Sequence, residues 1–451
     1  MKAWLIAGTL AARGEMEQPQ ATIEKKTVKQ VLKAFAKSLL QHILLTFQFF
    51  DRNGLANHAA GGAYGFILSA APTLFIFSIF LLTAFHSLPQ AAIGLFKGDI
   101  PFLEIGLNEE WLEDNFRAVT RAGISGIVSV VSLIWAGRIF AMSLLRGLKV
   151  IFTGNKKRNP VMENLIALLI QFIVPLFALG LILSSYTAMR VYESIDFLPA
   201  SILNFIFKFQ SWVFPFIALG LVSYAAYRKI PANTPRPLSA LQGSLFCAIP
   251  YSITTLVLRL IINKTRYNVI YGALGNIIFL LVNIFFFFSF FFLGAQFAKV
   301  VDSIDALLFT NLLKVRKDGA QKRGSLRQKL FSSPSGKLAQ YLRQYQEGEV
   351  IVIEGGQGEE MFFLLEGEAE VHKLTGDGKE SRRLYKLKEG TFFGEMDHLI
   401  SKGKRTTVNA VTPISVLALP PGLFDDLLKN DTSVDRAVIE NLSRRLKSAI
   451  E

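Results

Sequence analysis

Two hydrophobic patterns divide the chain. As far as about residue 298, apolar residues come in long unbroken runs, and beyond about Gly336 they alternate with polar ones between turn glycines. Runs of about 20 apolar residues are long enough to cross a hydrocarbon core some 30 Å thick. They predict six membrane-spanning helices: Ala59 to Phe85, Gly123 to Leu145, Asn164 to Met189, Ile202 to Tyr227, Leu238 to Ile262 and Ala273 to Phe297. Pro175, Pro215 and Pro250 fall inside the third, fourth and fifth, where neighbouring helices, hydroxyls or water can satisfy the freed carbonyls. Before the first run, Val28 to Phe50 mixes lysines with Phe35, Leu39, Leu40, Ile43 and Leu44, the pattern of an amphipathic helix lying in the interface.

Basic residues beside the spans set the orientation, since cytoplasmic loops are richer in Lys and Arg. Lys25, Lys26, Lys29, Lys33, Lys37 and Arg52 precede the first span, and Lys149, Lys156, Lys157 and Arg158 follow the second. Arg228, Lys229 and Arg236 follow the fourth, and Lys299, Lys314, Arg316, Lys317, Lys322 and Arg323 the sixth. The loop between the first two spans is instead acidic, with Asp99, Glu104, Glu109, Glu110, Glu113 and Asp114. Both termini are therefore expected on the cytoplasmic side, although Lys264 and Arg266 in the last outer loop run against the trend. The opening MKAWLIAGTLAA imitates a signal peptide, yet cleavage there would export the lysine-rich segment. It is read as an N-terminal tail or an over-extended start.

Composition agrees with a membrane protein. Of 451 residues, 51% are hydrophobic, 39 are phenylalanine and only 19% are charged, against about a quarter in soluble domains. A single cysteine, Cys247, excludes a disulfide framework or a cysteine-based zinc cluster. The net charge of +14 gathers beside apolar runs, which points to an anionic membrane surface rather than nucleic acid. The five histidines are scattered without metal-ligand spacing, so no metal site and no enzyme activity are expected.

Several residues in the spans would be poor company for lipid. At 100° per residue, Gly272, Asn276, Asn283 and Gly294 share a stripe of the sixth span, as Ser125, Ser129, Ser132, Ala136 and Ser143 do in the second. Such stripes are read as helix–helix contacts, with the lining of a substrate path as the alternative. Arg138 lies inside the second span away from its serine stripe, and either snorkels to the cytoplasmic interface or serves a polar cavity. A membrane polar path, if there is one, would use Arg138, Asn276 and Asn283.

Three stretches, SLIWAGRIFAMSLLRGLKVIF, YRKIPANTPRPLSALQGSLFCAIPYSI and YNVIYGALGNIIFLLVNIFFFFSFFFLGAQFAKV, resemble the YihY/BrkB family of bacterial inner-membrane proteins, from about Val28 to Asp302. The resemblance implies a six-helix membrane domain of unsettled activity, in a family whose members have been suggested as transporters or lipid-translocation factors. An older ribonuclease label on that family finds no support in this sequence.

In the C-terminal part, GEVIVIEGGQGEEMFFLLEGEAEVHKLTGDGKESRRLYKLKEGTFFGEM alternates as a β-roll does, with Val350, Val352, Phe362, Leu364, Ala369, Val371, Tyr385, Leu387, Val408, Ala410, Val416 and Leu417 as its core. Helices are expected over Gly422 to Lys429 and Ser433 to Ile450. From Gln346 to Leu446 the stretch resembles a cyclic-nucleotide-binding domain, and FFGEMDHLISKGKRTTV resembles its phosphate-binding cassette. The resemblance implies that Gly394 permits close approach of the phosphate, Glu395 accepts from the ribose hydroxyl, Arg405 pairs with the phosphate and Thr406 adds a hydroxyl contact, with Met396 and Thr407 completing the cassette. The ligand it implies is cAMP or cGMP. Asp397, His398 and Thr407 depart from the usual residues, so a degenerate roll used for protein contacts remains the alternative. No helix-turn-helix pattern follows, and no nucleic-acid partner is expected.

The expected organisation is multi-domain: an all-α polytopic membrane bundle of six transmembrane helices plus a C-terminal β-roll with flanking helices. Residues 1–58 form the tail and interfacial helix, 59–298 the membrane domain, 299–335 a basic linker and 336–451 the nucleotide-binding-like domain. The linker reads either as a solvated strap near headgroups or as a helix coupling sensor to bundle. The expected function is a transport or translocation protein of the bacterial inner membrane regulated by a cytosolic cyclic nucleotide, with a membrane scaffold as alternative. Its partners would be the lipid bilayer and the nucleotide, and a homo-oligomer is compatible with the sequence.

Overall fold

The computed structural model describes residues 19–68, 124–154, 158–174, 177, 201, 213–261, 264–317, 326–334, 336–356, 359–374, 381–396, 403–430, 438–440 and 442–443. Most of the first span beyond residue 68, the acidic loop, much of the third span, the start of the fourth and most of the last helix lie outside these residues. Contacts divide the chain into two units, Ile43–Asp302 and a second made of Met1–His42 with Ser303–Glu451.

The first unit is helical. It contains the end of α1 (Pro19–Arg52), α2 (Ile124–Ile151), α3 (Phe214–Lys229), α4 (Pro237–Ile261) and α5 (Lys264–Asp302); residues 55–68 and Pro160–Val174 are helical too. Among the described residues, two stretches are long and apolar enough to cross a membrane, Pro237–Leu258 and Leu280–Asp302. Lys264 and Arg266, expected in an outer loop, instead begin α5, because the helix pattern runs on through them and leaves only residues 262–263 before it.

Small residues bring α4 and α5 together. A Cβ placed on Gly243 would lie 2.5 Å from the Gly294 carbonyl oxygen, and one on Gly294 would lie 2.6 Å from that of Gly243. Such an approach maximises dispersion contact where lipid offers no hydrophobic drive for helices to associate. Around it pack Phe288, Phe291, Phe292, Phe140 and Tyr227, all buried. The Tyr227 hydroxyl donates to the Phe291 carbonyl at 2.7 Å, which supplies the partner that a buried phenol requires.

The second unit holds the roll. Strands β1 (Leu342–Tyr345), β8 (Ile414–Leu419), β3 (Met361–Glu366) and β6 (Phe392–Phe393) form one antiparallel sheet in that order. The other runs β2 (Val350–Val352), β7 (Thr407–Ala410), β4 (Ala369–Leu374) and β5 (Ser381–Leu387). Between them lie Val352, Phe362, Leu364, Ala369, Val371, Leu387, Val408, Ala410 and Val416, as the alternation predicts. Tyr385 is partly buried against this core, and Leu417, though buried, is paired with Phe363 rather than lying in the inter-sheet cluster. Val350 is the exposed exception. It opens an edge strand and is 46% exposed.

Strand β3 does not alternate: Met361 through Leu365 are buried on both faces. Its outer face is covered by helices. From α6 (Ile304–Lys317), Phe309 meets Phe363 and Phe392 edge-on or tilted, at 5.4 and 6.0 Å between ring centroids. From α8 (Pro421–Asn430), Phe424 meets Phe392 at 6.2 Å. The segment read as a basic linker is therefore partly structural. Arg316, at the end of α6, donates to the Leu365 carbonyl at 2.5 Å and to Glu389 at 2.7 Å. Arg327 of α7 (Leu326–Phe331) donates to Asn311 at 2.8 Å, and Gln41 of α1 donates to the Leu330 carbonyl at 2.8 Å.

Candidate functional site: the cassette after strand β6

The turn after β6 needs a residue with positive φ, and Gly394 supplies it at φ +78°. Glu395 and Met396 are helical immediately afterwards; Asp397 and His398 lie outside the described residues. Glu395 is wholly buried, whereas Met396 is exposed. An anionic carboxylate in such a place has to be met by polar partners or a ligand hydroxyl.

The other wall is the strand entering β7. The Gly355 N–H donates to the Lys404 carbonyl at 2.7 Å, and the Lys404 N–H to the Gly356 carbonyl at 3.2 Å. Gly355 is itself left-handed, at φ +83°. These bonds tie the β2–β3 turn to Lys404. Arg405 points outward and is exposed, Thr406 is half-buried, and the Thr407 hydroxyl accepts from the Glu354 N–H at 3.1 Å. Gly394, Glu395, Arg405 and Thr406 thus stand on two neighbouring walls, while the Thr407 hydroxyl already serves the backbone.

Sequence reasoning missed Lys404. It is 5% exposed, and its ammonium donates to the Glu360 carbonyl at 2.7 Å. The same ammonium lies 5.9 Å from the centroid of the Phe362 ring, which is stacked on Phe393 at 5.1 Å. A Cβ on Gly394 would be 3.1 Å from it. The Glu360 carboxylate meanwhile takes Arg343 at 2.7 Å. Burial works against the Arg343 charge, but the hydrogen bonds and charges of Glu360 and Tyr345 outweigh it and hold the guanidinium's pKa above its ordinary value. The signal available in the sequence was the adjacency of Lys404 and Arg405: consecutive residues of an extended segment face opposite sides, so only one can point inward.

The polar residues singled out in the membrane spans, where described, fall into separate pairs. Arg138 donates to the Asn164 side-chain oxygen at 2.5 Å and stands 5.3 Å from the Trp135 ring centroid. Asn283 accepts from the Tyr251 hydroxyl at 2.8 Å, which links α5 to α4. The Ser143 hydroxyl donates to the His58 carbonyl at 3.1 Å. Asn276 lies in α5, and its side chain is outside the described residues. Among the described residues no cluster of His, Cys, Asp and Glu could hold a metal ion.

The fold and this site define a membrane protein with an appended cyclic-nucleotide-binding domain. The chain belongs to the virulence factor BrkB family, whose model matches residues 46–307, and the cyclic nucleotide-binding domain model matches residues 342–431. The chain is 25% identical over 184 residues to a UPF0761 membrane protein of Glaesserella parasuis, covering 40% of this chain and 64% of that one. It is 38% identical over 101 residues to a cAMP-dependent protein kinase regulatory subunit of Debaryomyces hansenii, covering 22% of this chain and 21% of that one. It is also 39% identical over 69 residues to the subunit of the same name from Mycosarcoma maydis, covering 15% and 13%. The chain thus spans less than two thirds of each of these relatives. Among solved structures, the catabolite activator protein of Thermus thermophilus is 28% identical, with a TM-score of 0.22 over 24% of this chain and 50% of that one.

Proposed function

We propose that this protein moves a solute or lipid across the bacterial inner membrane, with both termini cytoplasmic, and that cAMP or cGMP bound at the cassette regulates it. The observation that carries this reading is the wall-to-wall arrangement of Gly394 and buried Glu395 opposite Lys404–Thr406. It offers an acceptor for a ribose hydroxyl and cations for a cyclic phosphate. A planar guanidinium such as Arg405 suits phosphate oxygens. Helix α6 supports a regulatory role: it follows α5 in the chain after Ser303 and packs Phe309 and Arg316 on the roll. Nucleotide would control the bundle only by binding two states of the protein with different affinity.

The test is calorimetry on the purified full chain with each nucleotide, followed by amide hydrogen exchange. A hydrogen bond to a charged group contributes roughly 1.5–3 kcal/mol. Arg405→Ala should therefore weaken binding by about ten- to a hundredfold, and Glu395→Gln by less, since the amide still accepts. Nucleotide should also change exchange protection along α6. Heat of binding without any change in α6 would refute regulation through that helix. Absence of binding to folded protein would favour the second reading, a membrane scaffold whose roll contacts a partner protein; the departures at Asp397, His398 and Thr407 are what speak for it.

A further inference from the structure

The cassette contains two consecutive cations, and the structure treats them in opposite ways. Arg405 is exposed, whereas Lys404 is buried with its ammonium against the bare Cα of Gly394. Burying a lysine is costly unless its charge is met. Here the site is built to accept it, with the Glu360 carbonyl at 2.7 Å and the face of the Phe362 ring at 5.9 Å. Glu360 is fixed in turn by Arg343. The lack of a side chain at Gly394 is what leaves room, because a Cβ there would crowd the Lys404 nitrogen at 3.1 Å. The position reserved for close approach of an anion is thus lined by an ammonium that carries three N–H donors.

We infer that Lys404 is a second phosphate-binding cation of this site, its ammonium donating to an exocyclic oxygen of the bound cyclic phosphate beside Gly394. The inference rests on the nucleotide-binding reading above. It divides the work between the neighbours: Lys404 approaches the phosphate from the buried side of the cradle, and Arg405 from the open side. An ammonium acts as a compact point charge and a guanidinium as a fork, so the two need not compete for one geometry.

The test compares wild type, Lys404→Met and Lys404→Arg in the full chain, titrated with cAMP and with the two phosphorothioate diastereomers of cAMP, in which sulfur replaces one or the other exocyclic oxygen. Lys404→Met keeps an unbranched side chain over Phe362 but removes the charge. It should weaken cAMP by about tenfold or more, and it should alter the preference between the diastereomers, because only one exocyclic oxygen loses its partner. Lys404→Arg should restore part of the affinity. A merely structural tie from Lys404 to Glu360 would weaken both diastereomers equally and leave their ratio untouched, which would overturn the inference. Wild-type affinity in the Met variant would overturn it too, while the nucleotide-binding reading stood. A wild-type protein that binds no nucleotide would remove both.

Discussion

Helix α4 and strand β3 are both strongly apolar, yet they dispose of their apolar atoms in opposite ways. In α4 the large residues Leu238, Leu241, Leu245, Ile249, Ile253 and Leu256 form an exposed stripe, while Ala240, Gly243, Ser244, Cys247 and Ala248 turn inward. In β3 every residue from Met361 to Leu365 is enclosed. A soluble helix with that exposed stripe would aggregate. In a membrane protein the stripe faces a solvent as apolar as itself, and small residues mark the inside because they let backbones meet. Size therefore identifies the packed face of α4, and polarity identifies the inner face of the alternating strands of the roll.

Gly294→Leu should break the comparison most severely. The first atom of its side chain already meets the Gly243 carbonyl, Cys247 Cβ and the Tyr227 hydroxyl within 2.8 Å. Overpacking a tight contact typically costs about 1–3 kcal/mol and sometimes more, and here backbone stands in the way. The expected result is loss of the monodisperse peak on gel filtration in detergent. By contrast Leu245→Ala, on the exposed stripe of the same helix, should retain it. Equal behaviour of the two variants would mean that size does not mark the packed face.

In the roll the corresponding change is Phe309→Ala. That ring is buried against Phe363 and Phe392, and truncating a buried Phe costs about 3–5 kcal/mol. Urea unfolding followed by Trp-independent circular dichroism in the β region should show it as a less stable roll. The same reasoning predicts that a fragment from Ser303 onward is more stable than one from Gly336 onward, since the second lacks α6 altogether.

This difference shows what was legible in the sequence. Period-two alternation named the inner face of the roll, from Val352 through Val416, because that face is decided by burial against the opposite sheet. It could not reveal α6 as part of the roll. The clue was the unbroken run MFFLL, which asks for cover on both faces, but a cover more than forty residues upstream leaves no periodic trace. At the cassette, Gly394 and Glu395 follow β6 while Arg405 lies in the segment entering β7. Which of two adjacent cations turns inward is fixed by the backbone pairing of Lys404 with Gly355 and Gly356, which is a tertiary fact. The stripes of the membrane helices proved partly readable: Ser143 and Asn283 do make cross-helix hydrogen bonds.

A smaller effect is expected at Arg138. Arg138→Leu removes one hydrogen bond from a charged group, to Asn164, and should lower stability by about 1.5–3 kcal/mol at most. Arg138→Lys should cost less, because an ammonium can still donate to Asn164. If Arg138→Leu leaves the protein folded and yet abolishes movement of its cargo, Arg138 belongs to a polar path rather than to a helix–helix pair. Wild-type activity would remove it from any such path.

The smallest effect lies on the outer face of the second sheet, where polarity alternates against the core. Glu370 on β4 is cross-strand neighbour to Lys386 and stands 3.3 Å from both Lys386 and Arg383, with His372 at 3.6 Å. Burial pushes its pKa up, but the Lys386 hydrogen bond and the charges of Lys386, Arg383 and His372 outweigh this and hold it below the ordinary carboxylate value of 4.5. Unfolding releases those partners, so the unfolded state takes up the proton first as pH falls. The contribution is therefore fully present above the unfolded pKa and disappears as pH drops through the lower folded one. Thermal midpoints of wild type and Glu370→Gln, compared between pH 6 and pH 3, should differ most at pH 6 and converge on acidification below about pH 4.3. A gap that stays constant across that range would show that Glu370 acts through packing and not through its charge.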